Sequence, residues 1–493
     1  MKKLSALYTV LLFCACRQLP SATETGLAPS IFPDCTGITI PSNIAPINFI
    51  IDDKADSYVT AVKSGSCQTV IKGNEVRISS AKWKKLISQG DMEVTVYEKK
   101  DGKWLSMKPF SMYVTSDEID RYVSYRIIPH SFESYQRLSI NQRDLTSFKE
   151  KVIYANDMVQ DDGNRQCINC HYFKDWKTDN MQFHARQYLG GTILYTDGKL
   201  KKLNMNTDST LAAAVYPSWH PTHDYIAYST NRTYQDMHMR DPNRIEAMDE
   251  VSDLLLFNIK DMAISVIEND STMLECHPAW SHDGRTLYYT AAYNPTYSKP
   301  KRIFVEARNI RYNLYSKPFD PDTRTWGKTR MEFDAAASDS SLTWPKISPD
   351  GRYMLCCIST HGVFPPYQDV SDLIMFDLEK GTRRYVSELN SDQAESYHSW
   401  SSTGKWVAIS THREDGTYTR LYFAHHNGDG TFGKPFAMPQ RDPQSNRKFM
   451  YAYNLPEFTI EPVRLRAREI ASFIRKSSPI QVSYESMTIP APA

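Results

Sequence analysis

The 493-residue sequence predicts a mainly β protein, a small β-sandwich followed by a C-terminal β-propeller of five or six blades. Three observations carry that prediction. A unit made of an apolar anchor, a tight turn and an alternating strand recurs roughly every 50 to 65 residues in the second half. Aromatic residues reach 12%, with 30 Tyr, against a moderate 23% of charged residues. Beyond the leader no run is long and apolar enough for a transmembrane helix.

From the N-terminus, residues 1–16 read as an export signal. Lys2 and Lys3 give the positive start and Leu4 to Phe13 the short apolar core. Phe13-Cys14-Ala15-Cys16 resembles a lipobox, which predicts lipidation of Cys16 and a membrane anchor through that lipid. The positions after Cys16, Arg17-Gln18-Leu19-Pro20, lack an acidic run, so the expected site is the outer membrane, facing the periplasm. Residues 17–30 have no periodicity and read as a tether. Residues 31–115 alternate in short runs such as Met92-Glu93-Val94-Thr95-Val96-Tyr97, the pattern of a small β-sandwich, with one helical stretch from Ser80 to Gln89. Cys35 and Cys67 fall in this module and could pair in an oxidising compartment.

Residues 116–189 read as a linker, and it carries the most specific motif of the chain, Cys167-Ile168-Asn169-Cys170-His171. Two thiols at that spacing followed by an imidazole are what covalent haem c needs: two thioether bonds to the porphyrin and a proximal nitrogen from His171 to the haem iron. Met181 and His184 are the nearest candidates for the distal iron ligand. A helix would put both on one face, whereas a strand, which Gly190-Gly191-Thr192 favours, would put them on opposite faces. A structural zinc clip, a redox dithiol and plain structural cysteines are the alternatives.

The propeller is expected over residues 190–460. Tyr216-Pro217-Ser218-Trp219, His277-Pro278-Ala279-Trp280, Trp344-Pro345-Lys346-Ile347 and Tyr397-His398-Ser399-Trp400 each precede a turn and an apolar strand. Trp219, Trp280 and Trp400 read as core between blades. Cys356 and Cys357, adjacent on one strand, should face opposite ways as small hydrophobes. Residues 461–493 give a helix near Val463 to Lys476 and a loosely ordered tail.

These units resemble the WD-like repeats of TolB-type propellers, Pro-x-Trp-Ser-Pro-Asp-Gly followed by an apolar strand. His220-Pro221-Thr222-His223 and Thr403-Gly404 depart from that pattern. The chain from about 120 to 460 further resembles a group of lipoproteins, common in Bacteroidetes, with an upstream Cys-x-Asn-Cys-His-x-Phe segment.

The functional expectation is an exported lipoprotein with one c-type haem, in electron transfer or redox sensing. The alternative is a non-enzymatic propeller that binds a protein partner or a small ligand on its face, with the Cys pair structural. The balance of 58 basic and 57 acidic residues provides no field for nucleic acid. No Gly-x-Ser-x-Gly elbow, P-loop or Rossmann glycine pattern occurs.

Overall fold

The computed structural model describes residues 19–129, 137–241, 243, 245–297, 303–368 and 370–485. Among them, six four-stranded blades form a propeller, two of them joined in one ten-stranded sheet. Their inner strands are Tyr451–Thr459, Gln166–Phe173, Ala214–Trp219, Met273–Trp280, Ser341–Ile347 and Glu395–Trp400, taken as blades one to six. Each inner strand touches the next, and the strand of blade six touches that of blade one, so the ring closes. Blade one is built from both ends of the chain: Tyr451–Thr459 pairs antiparallel with Tyr122–Pro129, which continues outward to Ser139–Asp144 and Glu150–Ala155. That pairing ties the two ends of the ring together without any covalent link.

Because blades stack face to face, inner strands bury both faces. Glu395–Trp400 is buried at every residue, while the outer strand Thr382–Tyr385 is largely exposed. Trp219, Trp280 and Trp400 lie in the cores between blades, as expected from sequence. Two of them also bridge blades: Trp280 Nε1 donates to Ser218 O at 3.1 Å, and Trp400 Nε1 to Lys346 O at 3.1 Å. Cys356 and Cys357 enter two different cores, also as expected.

The turns explain the repeat. In blade four, Ser281 Oγ donates to Asp283 and accepts the Thr286 N–H at 2.9 Å, and Gly284 takes a φ of 72° that favours glycine. His220 replaces this device in blade three. Its Nδ1 accepts the N–H groups of Thr222 and His223 at 3.2 and 3.0 Å, and its Nε2 donates to Gly284 O at 3.0 Å. A side chain at Gly284 would collide with that imidazole.

The first module consists of a seven-stranded and a three-stranded sheet, with helix Ser80–Ile87 burying Trp83, Leu86 and Ile87. Its core runs on into blades one and six through Met112, Ile119, Tyr125, Trp406 and Phe423. Asp120 accepts the N–H and hydroxyl of Ser402, both at 2.6 Å, and Trp406 Nε1 donates to Asp117 O at 3.1 Å.

Several boundaries read from sequence need correction. The expected linker, 116–189, supplies three strands of blade one and the two inner strands of blade two, so the propeller begins near Tyr122. Within the expected tether, Thr23–Glu24 pairs with Leu105–Ser106. The C-terminal helix is shorter, Ala467–Lys476. The tail is not loose as far as Glu485: Ile480–Gln481 and Ser483–Tyr484 add to the outer edges of blades two and three. Cys35 and Cys67 are both free thiols, with Cys35 in the module core. The signal segment 1–16, with Cys16, lies outside the described residues.

Candidate ligand site in the central channel

Five inner strands carry an irregularity at the same place, and the strand of blade six carries one a residue earlier. The register shifts between Asn169 and Tyr172, Val215 and Ser218, Cys276 and Ala279, Thr343 and Lys346, and Glu395 and His398. In blade one the shift falls opposite Tyr125, between Asn454 and Glu457. The skipped residue has a positive φ in five blades: Cys170 54°, Tyr216 49°, His277 52°, Trp344 57° and Leu455 54°. A bulge re-aims one side chain out of the pleat, and here it aims them at the channel. The residue that follows is Pro217, Pro278, Pro345 or Pro456 in four blades, but His171 in blade two and His398 in blade six. Cys167 to His171 is therefore an inner propeller strand, and Cys170 takes the place that Tyr216 and Trp344 take elsewhere.

These bulge residues form a waist. Tyr216 meets His277 with centroids 4.7 Å apart, His277 meets Trp344 at 5.0 Å, and Trp344 meets Tyr397 at 4.4 Å, all edge to face. On the narrow side lies a small chamber bounded by Cys170, His171, Tyr172, His277, Lys346 and Glu457. Lys346 Nζ meets Glu457 Oε1 at 2.9 Å across the channel and sits 4.6 Å from the Tyr172 ring centre. Burial raises the Glu457 pKa and Lys346 opposes it.

On the wide side a larger cavity opens, lined by Cys167, Cys170, Asn169, Arg126, Arg186 and aromatic rings. One wall is the hairpin of Tyr225–Met237 and Ile245–Asn258, twice as long as the strands of other blades, which brings Thr233, Tyr234 and Ala247 to the cavity. Its far part is held to blade five by Asn243 donating to Gln368 at 3.0 Å and by the contact of His361 with Glu246 at 3.2 Å.

The geometry brings part of the predicted haem set together. Both thiols border the wide cavity, Cys170 borders the narrow chamber as well, and His171 borders the narrow chamber alone. The imidazole is 4% exposed and neither ring nitrogen makes a hydrogen bond, although the backbones of Ser124 and Leu455 run alongside. Burial first, then Arg126, lowers its pKa to about 3, so it is neutral at pH 7. Met181 and His184 border neither cavity: Met181 is in the core of blade two, and His184 Nδ1 lies 3.2 Å from Thr192 Oγ1. Both lie on strand Met181–Gln187, so the strand reading holds. Cys167 borders only the wide cavity and His171 only the narrow chamber, so these two members of the predicted haem c set do not face one common space in this fold. No group of three or more His, Cys, Asp or Glu among the described residues is arranged for a metal ion.

Burial holds the Cys170 thiol above its ordinary pKa, while the Tyr216 backbone, Arg186 and Arg126 pull it down. Sequence reading passed over both arginines. The available signal was a charge inside an apolar strand, Tyr125-Arg126-Ile127-Ile128.

No family model matches the chain, and no curated protein does. Solved structures show only distant likeness. Prolyl oligopeptidase B from Galerina marginata aligns at 10% identity and a TM-score of 0.36, over 83% of this chain and 54% of that enzyme. An oligogalacturonate lyase in complex with manganese aligns at 12% and 0.30, over 81% of this chain and 98% of that one. Sqt1 of Chaetomium thermophilum aligns at 8% and 0.30, over 84% and 88%. The chain spans about half the length of the oligopeptidase it matches. The class of the protein, a β-propeller with an N-terminal β module, stands on its own sheets.

Proposed function

We propose that this protein is a binding propeller of the cell envelope, of the TolB-like lipoprotein kind, which takes a small ligand into the wide end of its channel. One observation carries the reading. The wide cavity ends at a waist of aromatic rings in edge-to-face contact, the form of a pocket and not of a pore. In this reading Cys167 and Cys170 are wall residues, and the leader with Cys16 places the propeller on a membrane through its lipid. Covalent haem is the second reading. The unbonded ring nitrogens of His171 favour it, and it requires the inner strand of blade two to leave its blade.

Native mass spectrometry of protein purified from envelope fractions tests the first reading. The expected result is a small molecule released on denaturation and absent from an Ala247→Trp variant, whose indole projects into the cavity. A porphyrin held by thioether bonds at Cys167 and Cys170 overturns it.

A further inference from the structure

We infer that the wide cavity is an anion site, in which Arg126 and Arg186 hold the oxyanion group of a small ligand with a flat, apolar body. The inference rests on the reading of the channel as a ligand site and names the ligand's chemistry.

Arg126 stands on the strand of blade one next to the inner strand and is only 7% exposed. Its Nη1 donates to Ile168 O at 3.3 Å, and its Nε has no partner. Buried guanidinium groups are ordinarily paired with carboxylates. No Asp or Glu is among the described residues lining this cavity, and both charged groups that line it are arginines. Arg186 pairs in register with Cys167 across blade two. With the Asn169 amide turned so that its oxygen faces the guanidinium, that oxygen accepts from Arg186 Nε at 3.1 Å and also from Nη2. This fixes Arg186 and frees the Asn169 amide nitrogen as a further donor.

Buried Arg126 and exposed Arg186, neither ion-paired among the described residues, concentrate anions from solution at this cavity. A guanidinium fork matches carboxylate and phosphate alike, so the shared chemistry is an oxyanion. Tyr216, Trp344, Phe364 and Tyr397 line the same cavity and offer aromatic surface to the remainder of the ligand. The half-buried thiol of Cys167 is a reporter within the cavity, and half-buried Cys67 in the first module is its control.

The test compares alkylation by iodoacetate, an anion, with alkylation by neutral iodoacetamide, read by peptide mass spectrometry on the reduced full-length protein. The rate ratio cancels the thiolate fraction of each cysteine. At low ionic strength the ratio at Cys167 should exceed that at Cys67 by about tenfold. It should fall to the Cys67 level in Arg126→Gln/Arg186→Gln. Millimolar benzoate or phenyl phosphate should slow iodoacetate at Cys167, and the stronger protector tells carboxylate from phosphate, while benzamide should not. Equal ratios at the two cysteines of the wild-type protein overturn the inference, whatever the folding of the variant. So does protection by benzamide equal to that by benzoate, or none from either anion. A haem on Cys167 would leave no thiol to alkylate, a distinct failure that defeats the ligand-site reading itself.

Discussion

His171 in blade two lies within the bulge of its inner strand, whereas His398, which follows Tyr397 in blade six, pairs in register with Ile409. His398 Nε2 reaches Leu355 O of blade five at 2.9 Å and ties two blades together. His171 makes no such bond. The imidazole that looks like a haem ligand in the sequence thus stands at the bulge position that four other blades fill with proline.

That contrast predicts the effect of proline at the two places. His171→Pro should fold and lose no more than about 1 kcal/mol, because the bulge geometry already accepts proline in four blades. His398→Pro should cost more, since it leaves Leu355 O without its buried donor, a loss of about 1–3 kcal/mol. Urea unfolding of both variants checks the order, and a larger loss in His171→Pro contradicts it.

The Lys346–Glu457 pair spans the channel with side chains 18% and 14% exposed. Lys346→Met leaves a buried carboxylate alone and should destabilise by about 3–5 kcal/mol. Adding Glu457→Gln should restore most of that loss. A double-mutant cycle in urea reads the coupling; additive losses would place the pair in solvent-like surroundings.

His277 gives the pH dependence. Burial first, then Lys346, lowers its pKa from 6.5 to about 3. The folded protein therefore binds fewer protons than the unfolded chain between those values. The stability His277 contributes is full above about pH 6.5 and is lost as pH falls toward 3. His277→Tyr removes this titration, and Tyr216 before Pro217 shows that a bulge-proline pair accepts tyrosine. Between about pH 6 and 4 the variant should gain on the wild type by about 1.4 kcal/mol per pH unit. Parallel pH profiles would contradict the assignment.

The repeat was legible in blades three to six, where Trp219, Trp280, Ile347 and Trp400 close the same four-residue stretch. Cys170-His171-Tyr172-Phe173 and Leu455-Pro456-Glu457-Phe458 have that shape too, a channel residue, Pro or His, any residue, then a large apolar one. Cysteine and histidine at the first two positions drew the reading toward cofactor chemistry and hid blade two inside a supposed linker. Blade one was hidden for a different reason: Val123 pairs with Phe458, and no local pattern reports pairing across more than three hundred residues. Arg126 and Arg186 reach one cavity from different blades, so only the closed ring brings them together.

The account turns on whether Cys167 to His171 is a propeller strand or a haem-attachment segment. The most direct measurement is the intact mass and pyridine haemochrome spectrum of the protein exported in a host with haem-attachment machinery. The predicted result is a colourless protein of haem-free mass, with Cys167 and Cys170 both alkylated after reduction. A mass increased by one haem, with those two cysteines blocked, would contradict the account.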